Sequence, residues 1–209
     1  MRGPILEEAC GHLARDPVMR QIIERHGPCG LAPRRLTPYE SLLRAIAHQQ
    51  LHGKAAESIL ARFVALSGTG RFPSPDAVLT MRTPTMRRCG FSQAKVRAIR
   101  DIARHAVNGV VPTKRACARL SDDELIERLT KIWGVGRWTV EMLLIFTLNR
   151  LDVLPVDDFG VREGYRRAYG RRKQPTPRAL RAFGERWAPY RSVAAWYLWR
   201  VANDAKKNG

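Results

Sequence analysis

Two stretches of the 209-residue chain hold residue types whose order could do chemistry. The first is Leu129 to Phe146, LTKIWGVGRWTVEMLLIF, where one amphipathic pattern meets Gly134-Val135-Gly136 and a second helical pattern begins at Arg137. Two glycines around one apolar residue make a tight hairpin, and the helix after it presents backbone N–H groups at the positive end of its dipole. Such amides bind a phosphate without any side chain. Taken alone, GVG is more commonly an ordinary helix-helix turn. The second stretch is Asp152 to Arg162, DVLPVDDFGVR, in which Pro155 ends an extended link and Asp157 and Asp158 open the next helix. A carboxylate there is commonly a helix N-cap, a role that suits Asp157. Two consecutive acids beside a phosphate-binding hairpin leave the other free for a second use, stabilising positive charge that develops on a deoxyribose.

The rest of the composition agrees with an anionic partner. Lys and Arg outnumber Asp and Glu by 37 to 19, the formal charge is +18, and 44% of residues are hydrophobic, so this is a folded basic protein and not a basic tail. From Arg162 to Gly209 there are 13 Lys/Arg against 3 Asp/Glu, which concentrates +10 of the charge in the last 48 residues. Nucleic acid is the first partner to consider, because phosphates reward such a field with counterion release. An arginine-rich proteome would produce the same charge, so charge alone leaves both readings open. Cys10, Cys29, Cys89 and Cys117 form no CxxC pair and have no histidine cluster beside them, which suggests neither zinc nor iron-sulfur. No metal or cofactor is expected. The N-terminal MRGPILEEACGHLARDP is too acidic for a signal peptide and no apolar run reaches a membrane span of about 20 residues, so a cytoplasmic, nucleoid-associated protein is expected.

The elements that must position these residues read as helices. Apolar residues recur at three- and four-residue spacing over Tyr39 to Gln50, Lys54 to Leu66, Ala94 to Val107 and Asp123 to Ile132, and strand signals are nearly absent. Thr37-Pro38, Ser74-Pro75, Ser92 and Ser121-Asp122-Asp123 look like helix starts, and Gly68, Gly109 and Gly134 like ends. About ten short helices in an all-α fold are expected. The basic stretch from Gly170 to Pro177 reads as the most mobile loop.

With GVGRWT followed by DVLPVDDFGVR, the chain resembles the helix-hairpin-helix (HhH-GPD) DNA glycosylase superfamily, in particular its 3-methyladenine DNA glycosylase II branch. YESLLRAIAHQQLHGKAA from Tyr39 is similar to that branch's first core helix and QQL turn, and Cys89 to Lys95, CGFSQAK, to its G-x-S-x-x-K segment. The similarity runs in order over roughly residues 16 to 200. It implies a two-lobed all-α fold with the active-site cleft between the lobes: residues 37–150 as a central helical bundle, and residues 1–36 with 151–209 as the second lobe.

Position by position, the resemblance makes Asp158 the catalytic aspartate of D-x-G-[VL]-R, with Asp157 the second choice if the register is set on P-V-D. Gly134, Val135, Gly136 and Arg137 match the DNA-binding hairpin. Trp138, Trp199, Phe159 and Met142 match the base pocket, and Gln49, Gln50 and Leu51 the wedge that fills the gap left in the duplex. Plain core or helix-end roles are the alternatives, most of all for Met142 and Leu51. Bifunctional relatives carry a lysine where this chain has Trp138, so no lyase activity is implied. The start of the chain close to the helical core implies a minimal form without the additional β domain of some members. The implied activity is excision of alkylated bases from double-stranded damaged DNA by a monomer. The competing readings are a non-catalytic helical DNA-binding protein, and a glycosylase of the same fold for deaminated or oxidised bases.

Overall fold

The computed structural model describes residues 3–51 and 53–204, and among these every regular element is helical. The chain divides into two compact units, a central one from Arg34 to Leu148 and a terminal one built from Met1–Pro33 and Asn149–Gly209.

The central unit holds α3 (Pro38–His48), α4 (Gly53–Ala65), α5 (Pro75–Thr80), α6 (Thr83–Arg88), α7 (Gln93–Val107), α8 (Lys114–Cys117), α9 (Asp122–Leu129) and α10 (Arg137–Phe146). Helices α3 and α7 form its centre. They pack on each other, their residues Leu42, Leu43, Ile46, Ile99 and Ile102 are all excluded from solvent, and α5 lies against α7 and α10 against α3. The helix starts follow local chemistry. Thr37 and Ser121 each make a reciprocal capping box with a glutamate three residues on, and Ser74 and Ser92 accept a backbone N–H from the first turn.

The terminal unit holds α1 (Gly3–Leu13), α2 (Pro17–His26), α11 (Phe159–Ala168), α12 (Pro177–Gly184), a 3-10 turn at Glu185–Trp187, and α13 (Arg191–Asp204). Helix α13 is its axis: every residue from Ser192 to Leu198 is buried, because α1, α2 and α11 cover it from several sides. Helices α11 and α13 approach so closely that a Cβ at Gly164 would lie 2.0 Å from the Leu198 carbonyl oxygen. The early helices are tied to the late ones by Tyr169, whose hydroxyl donates to Asp16 at 2.7 Å, and by Tyr190, which donates to Glu8 at 2.7 Å.

The all-α expectation holds, and the starts at Thr37, Ser74, Ser92 and Ser121 are N-caps. The expected count of about ten helices falls short of the thirteen α-helices among the described residues. Helices α5, α6 and α8, of six, six and four residues, span under two turns and carry no readable period. The basic stretch expected to be mobile is fastened to α11: Arg162 donates to the Pro175 carbonyl at 2.9 Å, and Gln174 donates to Glu163 at 3.0 Å.

Candidate functional site

In the terminal unit, Asp158 is the N-cap of α11. Its Oδ1 accepts the backbone N–H of Val161 at 2.8 Å and, at the same distance, the indole Nε1–H of Trp199 from α13. Two donors on different helices fix the carboxylate in direction and depth, and both Asp158 and Trp199 are half-buried. Gly160 is what lets the indole in, since a Cβ there would stand 2.8 Å from Trp199 Cδ1. Phe159, between Asp158 and that glycine, is 67% exposed, an unusual position for a large aromatic.

The capping role given to Asp157 is corrected by this arrangement. Helix α11 starts at Phe159, which puts the Val161 amide three residues beyond Asp158, the N-cap spacing. Asp157 sits one residue too early, exposed in the turn before the helix. Asp158 therefore both closes the helix and stands in the D-x-G-V-R register.

In the central unit, α9 and α10 flank residues 130–136. Gly134 adopts φ +80, and a Cβ there would meet Ala98 Cβ of α7 at 2.7 Å, so backbone handedness and packing both demand glycine. Val135 is buried as the apolar pin of the turn. The turn is held from behind by Asp101 of α7, whose Oδ2 accepts the Trp133 backbone N–H at 2.8 Å. Gly136 opens α10 in an extended conformation with no side-chain cap, so no side chain at that position occupies the positive end of the helix. Arg137 is exposed and pairs with Glu141 at 3.0 Å. Trp138 and Met142, one turn apart on α10, are half-buried, while Thr139, Val140, Leu143 and Leu144 face the core.

The Gln49 to Leu51 turn lies in the same unit, and its three residues have different fates. Gln49 is half-buried, and its side-chain amide donates to the Gly134 carbonyl and to Thr139 Oγ1, both at 3.1 Å. Gln50 is exposed with φ +55, a left-handed conformation uncommon outside glycine, and Leu51 is exposed. Sequence reasoning missed Asp101 and Thr139. Asp101 acts on a partner 32 residues away, and its local pairs, i,i+3 with Arg104 and i,i+4 with His105, are of a kind that any surface helix shows. Among the described residues no group of His, Cys, Asp or Glu could hold a metal ion, and no helix is long and apolar enough to cross a membrane.

The sequence profile of the family described as "HhH-GPD superfamily base excision DNA repair protein" matches residues 43–189. DNA-3-methyladenine glycosylase 1 of Schizosaccharomyces pombe is 51% identical over 168 residues, which cover 80% of this chain and 74% of that protein. The alkylbase DNA glycosidase-like protein mag2 of the same yeast is 37% identical over 188 residues, 89% of this chain and 88% of that one. Among solved structures, S. pombe 3-methyladenine DNA glycosylase (Mag1) in complex with abasic DNA superposes with a TM-score of 0.89 at 45% identity, over 92% of this chain and 95% of that chain. The glycine hairpin and the aspartate-capped helix both lie within the matched stretch, which spans most of the sequence: the chain belongs to the HhH-GPD superfamily of base excision DNA repair proteins.

Proposed function

We propose that this protein is a monofunctional DNA glycosylase that removes alkylated bases of the 3-methyladenine and 7-methylguanine type from duplex DNA, with Asp158 as the catalytic carboxylate. The observation that carries the reading is the Asp158 side chain, held at 2.8 Å by both Val161 N–H and the Trp199 indole, in a chain 51% identical to a protein named DNA-3-methyladenine glycosylase 1. The monomer grips the duplex through the amides of Gly134 to Arg137 and flips the damaged nucleotide out of the stack. Of the three turn residues, the exposure of Gln50 and Leu51 favours them as the wedge, while the side-chain amide of Gln49 is engaged within the protein.

An alkylated purine carries positive charge and a weakened glycosidic bond. Within the terminal unit, the aromatic faces of Trp199 and Phe159 beside Asp158 attract such a base by cation–π contact, worth roughly 0.5 to 2 kcal/mol each. As the C1′–N bond breaks, the deoxyribose becomes cationic. A carboxylate about 4 Å away stabilises that charge by on the order of 4 kcal/mol at an effective dielectric near 20, about a thousandfold in rate. Water then adds to C1′ and gives up a proton, leaving free base and an abasic site. Trp138 stands where a Schiff-base lysine would be needed, so the strand is left intact.

Incubation with methylated DNA, followed by chromatography of released bases and a heat-induced strand-break assay, tests the reading. Released 3-methyladenine or 7-methylguanine with breaks only after heating supports it. Unchanged methylated DNA leaves the non-catalytic DNA-binding reading, and breaks without heating point to a lyase.

A further inference from the structure

We infer that Lys95 is a positioning residue which, together with Gln49, locks the Gln50-Leu51 turn to the glycine hairpin, so that gripping the duplex and filling its gap are done by one rigid element. The inference rests on the proposed reading of that turn as the part that enters the duplex.

The Lys95 ammonium donates to the carbonyl of Ala47 and to that of Gln49, each at 2.9 Å. Helix α3 ends at His48, so these are among the terminal carbonyls that no intrahelical N–H can satisfy. Burial lowers the Lys95 pKa from its usual value. The ammonium is partly desolvated where it meets these two carbonyls.

Gln49 completes the lock. Its carbonyl takes Lys95 of α7, and its side-chain amide reaches the Gly134 carbonyl in the hairpin and Thr139 in α10. One residue thus bridges α3, α7 and the hairpin immediately before the exposed turn. The left-handed Gln50 at φ +55 is a conformation that persists in a non-glycine residue only where neighbours over-determine it, and the lock supplies those neighbours. The electrostatics point the same way. The end of α3 carries the negative pole of its dipole, which a polyanion repels, and the Lys95 charge offsets it where the turn must approach the duplex.

The test compares wild type with Lys95→Met, Lys95→Arg and Gln49→Ala. One arm is single-turnover excision. Another is the fluorescence of 2-aminopurine beside a stable abasic analogue, which reports wedge insertion without chemistry. The third is the salt dependence of binding to undamaged duplex. Lys95→Met should lower the excision rate on the order of 10- to 100-fold, since misplacement by about 1 Å costs about that much, and should shrink the fluorescence response. Lys95→Arg should recover much of both.

The salt slope should stay unchanged, whereas a lysine that contacted phosphate would reduce it by about 1. A reduced slope would overturn the proposal, and so would a Lys95→Met protein with wild-type excision and fluorescence. Should Lys95→Met lose its helical circular dichroism, Gln49→Ala decides: a diminished fluorescence response supports the lock and an unchanged one overturns it. A wild type that excises nothing defeats the proposed function, but the fluorescence arm still supports or overturns the lock.

Discussion

Helices α10 and α11 start about twenty residues apart, and the two starts are opposites. Each presents first-turn amides at the positive end of a dipole. Helix α10 is preceded by Gly136, which offers no side-chain cap, while α11 is preceded by Asp158, whose carboxylate occupies that end. The same backbone geometry thus serves two purposes, decided by one residue. Left without a side-chain cap, it suits an anion from outside, such as a DNA phosphate. Filled by an aspartate and braced by Trp199, it becomes a rigid stand for a negative charge. Under the proposed function, binding and chemistry are separated in this way, so substitutions at the two starts should have separable effects.

The largest effect is expected from Asp158→Asn. Asparagine caps a helix nearly as well as aspartate and its oxygen can still accept the Trp199 N–H, so the change removes charge and little else. Single-turnover excision of 7-methylguanine should fall about a thousandfold, with duplex affinity equal or slightly higher. Asp157→Asn should stay near wild type, and a reversed asymmetry would move the catalytic role to Asp157.

Next comes Gly136→Asp, which makes α10 resemble α11. Open space surrounds the position and its φ of −92 suits an aspartate, so the protein should fold with unchanged or slightly raised thermal stability. A carboxylate placed where the phosphate belongs should weaken duplex binding at least about tenfold in a fluorescence-anisotropy titration. Unchanged affinity would show that the α10 start is not the anion site. Trp199→Phe keeps a ring and deletes the donor to Asp158. Excision should drop about tenfold, the low end for a lost hydrogen bond to a charged group, with binding unchanged.

The smallest effect concerns Glu163, a carboxylate on α11 whose work is structural. Hydrogen bonds from Arg166 foremost, then Gln174 and Arg167, pull its pKa down to about 2. An unfolded glutamate titrates near about 4.3, so this stabilisation is complete above that pH and is lost as pH falls toward 2. Glu163→Gln should flatten the acid limb of a melting-temperature profile and leave neutral-pH excision alone. Acid denaturation of that variant identical to wild type would refute the role.

Local chemistry was legible in the sequence wherever it acts over a single turn. Thr37, Ser74, Ser92 and Ser121 could be read as caps because a cap needs only a short polar side chain and an amide three residues on. The capping role went to Asp157 for want of one fact, that α11 starts at Phe159. Periodicity tolerates a one-residue shift in a helix start, and a cap does not.

Residue order, the glycine hairpin, the paired aspartates and the helical periods were fixed by the chain itself, since each is a matter of spacing along a backbone. The tertiary structure alone decided which side chains those elements meet. Trp199 reaches Asp158 across 41 positions, and Lys95 reaches Gln49 across 46. The hairpin glycine at 134 is required as much by Ala98 of α7 as by its own φ. Such pairings depend on where helices pack, and packing is selected by burial summed over a whole unit, a sum that no window of sequence contains.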